Sequence, residues 1–337
     1  MEHGNRPTAC RKALAALILG ATAFGAAAQT DAQFSQYYEV PSFYNPAAIG
    51  QSDNLRIRGG ARLQWVGIDN APQTFAGVAD MPVKIGSKRI GVGLMLNQES
   101  QGLYKSLNID AQIGYKFRKF GGEWTVGLGI GLYDQAFKGS EVYIPDDDDY
   151  HQGTDQGLPT SDIHGTGLDL GAGIWYRHPK FYAGISCTHI NSPTVSMTAE
   201  GGGGASGAES VDRKYTFTAD RTLYFMAGGN IPIKNTLFEI APSLLVKSDF
   251  TFTTAEITAR ARYRKFISFG VGYRWNDAII ATVSAEIKNF FIGYSFDYAT
   301  TAINRASSGS HEIFVGYSMK LDLGEKNKNR HKSVRLM

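Results

Sequence analysis

Apolar and polar side chains alternate residue by residue along most of this chain, and this period of two constrains the fold most. In residues 107–118 one alternate set is Leu107, Ile109, Ala111, Ile113, Tyr115 and Phe117. The other set is Asn108, Asp110, Gln112, Gly114, Lys116 and Arg118. Because successive side chains of a strand point to opposite faces, one face favours hydrocarbon and the other favours water. A strand in the wall of a transmembrane β-barrel needs such a pair of faces.

Runs of this kind predict an all-β outer-membrane barrel of about 14 antiparallel strands. The weakest run is 236–248, because Pro242 lies in its middle and predicts a bulge there. The predicted strands are 54–65, 73–85, 88–99, 103–118, 123–137, 165–177, 180–191, 219–231, 236–248, 251–263, 265–275, 277–288, 289–300 and 310–322.

The connectors between these runs favour a membrane barrel over a soluble sandwich. Every second connector is tight, whereas the others tend to be longer, with 66–72, 138–164, 192–218 and 301–309 as the long ones. Short turns at one rim and long loops at the other are typical of outer-membrane barrels, whose long loops face the cell exterior. A soluble sandwich has no physical reason to sort its loop lengths by parity.

The ends of the chain predict three further segments around the barrel of residues 54–322. Residues 1–28 have the basic start, apolar stretch and small-residue cleavage site of a secretory signal peptide. Residues 29–53 are a short N-terminal plug or periplasmic segment, and residues 323–337 are a basic C-terminal tail. Removal of the leader leaves 31 basic against 30 acidic residues, so charge implies no nucleic-acid partner.

Charges of both signs occupy the polar faces of the predicted strands, and we expect them to point into the lumen. A charged group on the lipid face would cost about 2–4 kcal/mol near the bilayer midplane. In the lumen the same groups can be hydrated or paired. These residues are Arg56, Arg58, Arg62, Asp80, Lys84, Asp110, Lys116, Asp169, Glu239, Glu256, Arg260, Arg262, Glu286 and Asp297.

The sequence contains no strong catalytic or metal-binding motif, so we expect neither an enzyme nor a bound cofactor or metal. The Asp146–Asp149 run lies near His151 and His164, but it lacks the glycine spacing of a calcium loop and is interpreted as a solvated loop tip. Ser310 and His311 alternate onto opposite faces, which argues against an outer-rim hydrolase. The single cysteine of the mature part, Cys187, is interpreted as a small apolar strand residue.

The start of the mature chain resembles the PorP/SprF family, the Bacteroidetes outer-membrane proteins of the type IX secretion system. The resemblance is carried first by Gln33-Phe34-Ser35-Gln36-Tyr37 and by Phe43-Tyr44-Asn45-Pro46-Ala47-Ala48-Ile49-Gly50. Further matching pieces are Gln64-Trp65, Tyr182 to Ser186, Gly272-Tyr273-Arg274, Ile292 to Asp297 and Ser310-His311-Glu312-Ile313. Glu39-Val40 and Ala48-Ile49 depart from the family pattern.

This resemblance implies a non-enzymatic outer-membrane barrel that serves protein secretion and gliding motility. It implies the periplasmic ring and peptidoglycan-linked subunits of the machine as partners. It also implies a secreted adhesin with a C-terminal sorting domain, which the barrel helps to deliver or anchor at the cell surface. The hypothetical partner-binding residues are Gln33, Phe34, Ser35, Gln36, Tyr37, Phe43, Tyr44, Asn45, Pro46 and Gly50.

Two interpretations of that segment stay open on the sequence: a docking element for the periplasmic machinery, or a seal at the base of the barrel. Asn45-Pro46 suits a fixed turn in either case, since Asn can bond its own backbone and Pro sets one dihedral. The alternative function is a general or selective porin, which the mixed charges of the lumen permit. A third is a surface adhesin that presents its long loops.

Overall fold

A computed structural model describes residues 31–86, 88–142, 159, 161–199, 213–264 and 266–322. In these residues the chain forms seventeen strands, fourteen of which build one closed antiparallel barrel. The strands, in chain order, are β1 (Asn54–Leu63), β2 (Gln73–Ile85), β3 (Lys88–Gln101), β4 (Tyr104–Lys119), β5 (Gly122–Phe137), β6 (Ile163–Arg177), β7 (Phe181–Thr188), β8 (Thr194–Ala199), β9 (Arg213–Thr218), β10 (Thr222–Gly229), β11 (Ile231–Pro232), β12 (Phe238–Ser248), β13 (Thr253–Tyr263), β14 (Ile267–Arg274), β15 (Ala278–Ile287), β16 (Phe290–Ala299) and β17 (Ser310–Lys320).

The barrel closes because its first and last strands pair. β1 and β17 share ten antiparallel pairs, from Asn54 opposite Lys320 to Leu63 opposite His311. The remaining barrel strands follow chain order, and β10 pairs directly with β12 because β8 and β9 form a separate two-stranded hairpin. Closure leaves no unpaired strand edge in the lipid, where an unsatisfied backbone group would cost several kcal/mol.

Alternation sorts the side chains between lipid and lumen as the sequence predicts. On β5 the side chains of Val126, Leu128 and Ile130 are exposed on the outer surface, whereas Thr125, one position before Val126, is buried. The predicted inward charges follow the same rule: most are buried or half-buried in the lumen, and Lys84 and Glu286 are exposed where their strands end. The predicted fold class is therefore confirmed, and each of the fourteen predicted runs overlaps one barrel strand.

The turns define two rims. The inner rim consists of the described residues of turns 86–87, 120–121, 178–180, 233–237, 264–266 and 288–289, together with the start of β1 and the end of β17. The outer rim consists of the described residues of connectors 64–72, 102–103, 138–162, 189–221, 249–252, 275–277 and 300–309. In outer-membrane barrels the short turns face the periplasm, so the inner rim is assigned to that side.

The prediction of a bulge at Pro242 is wrong. Gly228 lies opposite Ser243, and three residues further on Ile231 lies opposite Ile240, so neither strand contains an extra residue. On its other side β12 pairs without a break, with Pro242 opposite Ala259. Proline removes one backbone donor, and here the structure interrupts the ladder between β10 and β12 instead of inserting a residue.

Helical structure is minor and lies outside the barrel wall. A 3-10 turn (Tyr37–Glu39) and the short helix α1 (Pro41–Tyr44) belong to the segment that precedes β1. Two more 3-10 turns (Gly139–Glu141 and Ala302–Arg305) lie in outer-rim connectors. No helix among the described residues is long and apolar enough to cross a membrane.

The predicted signal peptide (residues 1–28), the Asp146–Asp149 run and the basic tail (residues 323–337) lie outside the described residues. The long loop 192–218 contains a structure that the sequence analysis did not anticipate. Strands β8 and β9 pair over six residues, from Thr194 opposite Thr218 to Ala199 opposite Arg213.

Candidate functional site

Residues 31–50 lie inside the barrel, where they form a plug. Phe34, Tyr37 and Tyr44 have no solvent-exposed surface, although they belong to neither a long helix nor a strand. The plug begins near the outer rim, where Asp31 contacts His189 just beyond the end of β7. It ends near the inner rim, where Gly50 contacts Asp80 on β2. The described part of this segment therefore fills the lumen, and its docking to a partner stays a prediction.

A buried network of charges on the barrel wall surrounds the first part of the plug. Arg62 on β1 pairs with Asp297 at 2.8 Å and with Glu312 at 3.3 Å. Arg274 on β14 pairs with Glu256 at 2.8 Å and with Asp297 at 3.3 Å. Buried ions persist only when they are paired and hydrogen-bonded, so these five side chains from five strands depend on one another.

The plug completes this network through Ser35 and Gln36. Both backbone N–H groups donate to the Glu312 carboxylate, at 2.8 Å from Ser35 and 2.9 Å from Gln36. The Ser35 hydroxyl donates to Asp297 at 2.8 Å and accepts from Arg62 at 3.0 Å and Arg274 at 2.8 Å. The plug supplies three donor groups and one acceptor to these buried ions, and the network therefore holds the plug to the wall.

Aromatic packing adds an apolar core to the lumen. The ring of Phe34 packs edge-on against Phe43 and against Phe314 of β17, with centroids 5.1 Å apart in both pairs. The same cluster includes wall residues from other sides of the barrel, such as Met95 on β3 and Leu245 on β12. A cluster that joins several sides of the wall fills the bore with side chains.

The side chain of Asn45 fixes the plug to the opposite half of the wall by bonding the backbone of two strands. Its side-chain NH₂ donates to the carbonyl oxygens of Ile174 on β6 and Ile185 on β7, both at 3.2 Å. Its side-chain oxygen accepts from the N–H of Ala47 at 2.8 Å, and its carbonyl accepts from Ala48 at 2.9 Å. The fixed turn predicted at Asn45-Pro46 is confirmed.

Glycines of the wall make room for the plug on this half. A Cβ atom added to Gly127 of β5 would lie 2.5 Å from the carbonyl carbon of Pro46. One added to Gly91 of β3 would lie 2.8 Å from Cγ1 of Ile49. Contacts this short displace neighbouring atoms, so the lumen-facing glycines are needed for close approach of the plug backbone.

The last part of the plug is fixed at the inner rim. The Gly50 N–H donates to Asp80 at 2.7 Å, and the Gly50 carbonyl accepts from Lys116. Gly50 has φ +55°, and a Cβ there would lie 2.9 Å from the carbonyl oxygen of Met81. Both the conformation and the space require glycine at this position.

The first residue of the plug is held by an ion pair. The Asp31 carboxylate accepts from Tyr224 at 2.6 Å and lies 3.2 Å from Nε2 of His189, whose Nδ1 lies 3.0 Å from Asp169. Burial alone lowers the pKa of His189, but the two carboxylates outweigh it and raise that pKa to about 11. The imidazole therefore stays protonated at neutral pH and pairs with Asp31.

The hairpin of β8 and β9 covers part of the outer mouth. Val195 and Met197 of β8 are buried against Tyr133 and Phe137 of β5. Phe217 of β9 stacks on Tyr133, with ring centroids 6.2 Å apart and planes 12° apart. The outer mouth is therefore narrowed above the plug on the β5–β6 side.

All ten residues of the partner-binding hypothesis lie in the plug and are buried. Each contacts other plug residues or the barrel wall, so none of them presents a surface at either rim. Their binding to a partner stays a prediction. They are Gln33, Phe34, Ser35, Gln36, Tyr37, Phe43, Tyr44, Asn45, Pro46 and Gly50.

The wall residues Arg274 and Glu312 were missed as site residues, although the sequence contained a signal for both. Each lies on the polar side of an alternating run, and each falls in a short piece that resembles the family. Their partner Ser35 is more than 200 residues away in the chain, so spacing alone could not connect them.

Nothing in the described residues suggests a catalytic or metal site. No group of three or more His, Cys, Asp or Glu side chains in the described part of the chain could hold a metal ion. Ser310 is buried in the lumen, whereas His311 faces outwards and bonds Tyr294 at 2.7 Å. The predicted separation of Ser310 from His311 is confirmed.

Several solved structures match the chain at low identity and with TM-scores below 0.5. The toluene transporter TbuX from Ralstonia pickettii aligns at 11% identity over 82% of this chain and 92% of its own, with TM-score 0.46. The toluene transporter TodX from Pseudomonas putida aligns at 9% identity over 87% and 95%, with TM-score 0.46. The translocator domain of the autotransporter NalP from Neisseria meningitidis aligns at 10% identity over 85% and 95%, with TM-score 0.41.

No curated protein matches the chain. The family model of the type IX secretion system membrane protein PorP/SprF matches residues 26–317, which include the plug and nearly all of the barrel. The chain belongs to the PorP/SprF family of type IX secretion system membrane proteins.

Proposed function

We propose that this protein is a closed docking element of the type IX secretion machine. Its inner rim would hold the periplasmic ring and peptidoglycan-linked subunits. Its outer rim would receive the sorting domain of a secreted adhesin and deliver or anchor it at the cell surface. Membership of the family supports the association with secretion, and the geometry of the lumen supports docking over conduction.

The observation that carries this proposal is the plug. Residues that would line a porin channel instead bind the plug, as Arg62, Arg274 and Glu312 do around Ser35. The mixed lumen charges, which on the sequence permitted a porin, are thus used in pairing. A barrel with a filled bore offers its partners two surfaces, the inner rim and the outer rim.

The ten buried plug residues enter this proposal as an internal support. Ser35 and Gln36 bond β1 and β17, and Asn45 bonds β6 and β7 on the opposite side of the lumen. These bonds would keep the turns of the inner rim in a fixed arrangement. Direct contact between a partner and these residues would require release of the plug. We propose the rims, and not the plug, as the surfaces that partners contact in the closed state.

Two measurements test the docking proposal. The full-length protein, tagged at an outer-rim loop and extracted in mild detergent, is expected to co-purify with periplasmic ring proteins and a sorting-domain cargo. In planar bilayers the purified barrel is expected to stay closed. A large and steady open conductance, together with purification of the barrel alone, would contradict docking and favour the porin.

A further inference from the structure

A cleft at the inner rim carries more positive charge than its surroundings neutralise. The cleft has a volume of about 760 Å³ and lies beside the turns that join β4 to β5 and β6 to β7. Its charged lining residues are Arg118, Lys119, Glu123 and Arg177, with His178 in the second turn. A volume of this size is typical of ligand sites in proteins.

One carboxylate faces several cations here. Glu123 of β5 lies directly opposite Arg118 on β4 and directly opposite Arg177 on β6. Its Oε1 atom lies 3.6 Å from Arg177 and 3.5 Å from the buried Lys116. Arg118 forms no ion pair with any described residue. The carboxylate of Glu123 is thus shared, and two exposed guanidinium groups remain available to an anion.

A neighbouring cavity at the same rim differs in its charge balance. It has a volume of about 230 Å³ and shares Tyr182 and Asn230 with the cleft. Its two arginines are paired within the protein, Arg260 with Glu39 and Arg262 with Glu239, both at 3.1 Å. The excess of cations is therefore local to the first cleft.

We propose that the cleft between the β4–β5 and β6–β7 turns binds an acidic polypeptide segment, whose carboxylates pair with Arg118 and Arg177. Arginine presents a planar fork of donors that matches a carboxylate in a bidentate pair. The proposal deepens the docking role proposed above and rests on it for the identity of the partner as a periplasmic protein.

The orientation of the side chains favours a peptide over a lipid headgroup. Arg118 and Arg177 have the strand parity of the lumen-facing residues Lys116 and Trp175. Near this rim the lipid-facing parity of the same strands is occupied by Phe117 on β4, which is exposed on the outer surface, by Tyr176 on β6, and by Lys119 where β4 ends. The two guanidinium groups are thus directed towards the aqueous mouth of the barrel.

Binding of a fluorescein-labelled hexaglutamate peptide tests the proposal, measured by anisotropy with the full-length protein in uncharged detergent. The wild-type protein is expected to bind this peptide and not hexaglutamine. The double variant R118Q/R177Q is expected to weaken binding by about tenfold or more, since a charge-assisted pair is lost at each position. Binding should also weaken as salt rises, because screening acts on exposed charges.

The matched control is K105Q/R305Q, which removes one exposed cation near the outer end of β4 and one in the outer-rim connector 300–309, and it should leave the affinity within about twofold. Equal affinity of R118Q/R177Q and wild type, or no binding of hexaglutamate at all, overturns the proposal. Two further results together would overturn the proposal and assign the cleft to a lipid headgroup. The first is loss of peptide binding in nanodiscs of anionic phospholipid, and the second is that R118Q/R177Q retains less of this lipid than the wild-type protein.

The same variant separates this proposal from the docking role. If hexaglutamate binds as expected but no periplasmic protein co-purifies, the proposal for the cleft is supported and the docking proposal is contradicted. If periplasmic proteins co-purify equally well with R118Q/R177Q and wild type, docking stands and the cleft proposal is overturned.

Discussion

The two halves of the lumen hold the plug by different chemistry. On β1, β13, β14, β16 and β17, buried ion pairs converge on Ser35. On β5, β6 and β7, backbone carbonyls bond Asn45, and Gly127 allows Ala47 and Pro46 to approach the wall. The first half depends on charge balance and the second on space. Each should therefore fail under a different substitution.

The largest effect is expected from Arg274→Met on the charged half. This change leaves Glu256 and Asp297 buried with fewer partners, and removing one member of a buried pair costs about 3–5 kcal/mol. Urea unfolding in detergent measures the free energy, and conductance in planar bilayers reports release of the plug. Arg213→Met on the exposed strand β9 is the control, and an equal effect of both changes would refute a special role for the network.

Gly127→Val tests the half that depends on space. The added side chain would overlap Ala47 and Pro46, and overpacking costs about 1–3 kcal/mol. The plug is expected to shift and the barrel to conduct intermittently. The matched control is Gly77→Val on β2, because a Cβ at Gly77 meets no atom within 4 Å. If both variants stay closed and are as stable as the wild-type protein, the close approach of Ala47 and Pro46 to Gly127 is contradicted.

Asn45→Ala should have an effect of similar size on the same half. It removes two hydrogen bonds to β6 and β7 and leaves two carbonyl groups without that donor, at a cost of about 1–3 kcal/mol. Combining it with Arg274→Met sharpens the comparison. If the two halves act independently, the losses in the free energy of unfolding add, whereas strong coupling would show that the plug behaves as one unit.

The smallest effect is expected from pH. The pKa of His189 is raised, so the stabilisation by its pair with Asp31 is fully present below about pH 6.5 and is lost as pH rises through about 11. The pKa of Asp31 is lowered, so its contribution is present above about pH 3.8 and is lost in stronger acid. In planar bilayers the barrel should stay closed, without measurable conductance, from pH 5 to pH 9. An opening transition near pH 6.5 that His189→Gln abolishes would contradict this assignment.

The wall could be predicted from the sequence because its physics is local. Alternation alone placed Arg62, Glu256 and Asp297 in the lumen, since an extended strand leaves each side chain only two faces. It also left enough signal to place Arg274 and Glu312 there. A plug was one of two alternatives for residues 29–53, because the same aromatic residues can fill a bore or cover a partner.

The contacts between plug and wall could not be predicted, because they join residues far apart in the chain. Ser35 meets Glu312 across 277 positions, and Asn45 meets Ile185 across 140. Such pairs depend on the register of many strands at once. The hairpin of β8 and β9 was missed for another reason: its strands are six residues long and lie in a loop with a glycine-rich centre.

The course of the N-terminal segment has a consequence for assembly. The plug starts beside His189 at the outer rim and leaves the lumen at the inner rim, and the wall is sealed by the pairing of β1 with β17. A segment held at both ends and along its length enters most simply while the cylinder is still open. We expect these residues to enter the lumen early in biogenesis, so that the later pairing of β1 with β17 encloses them.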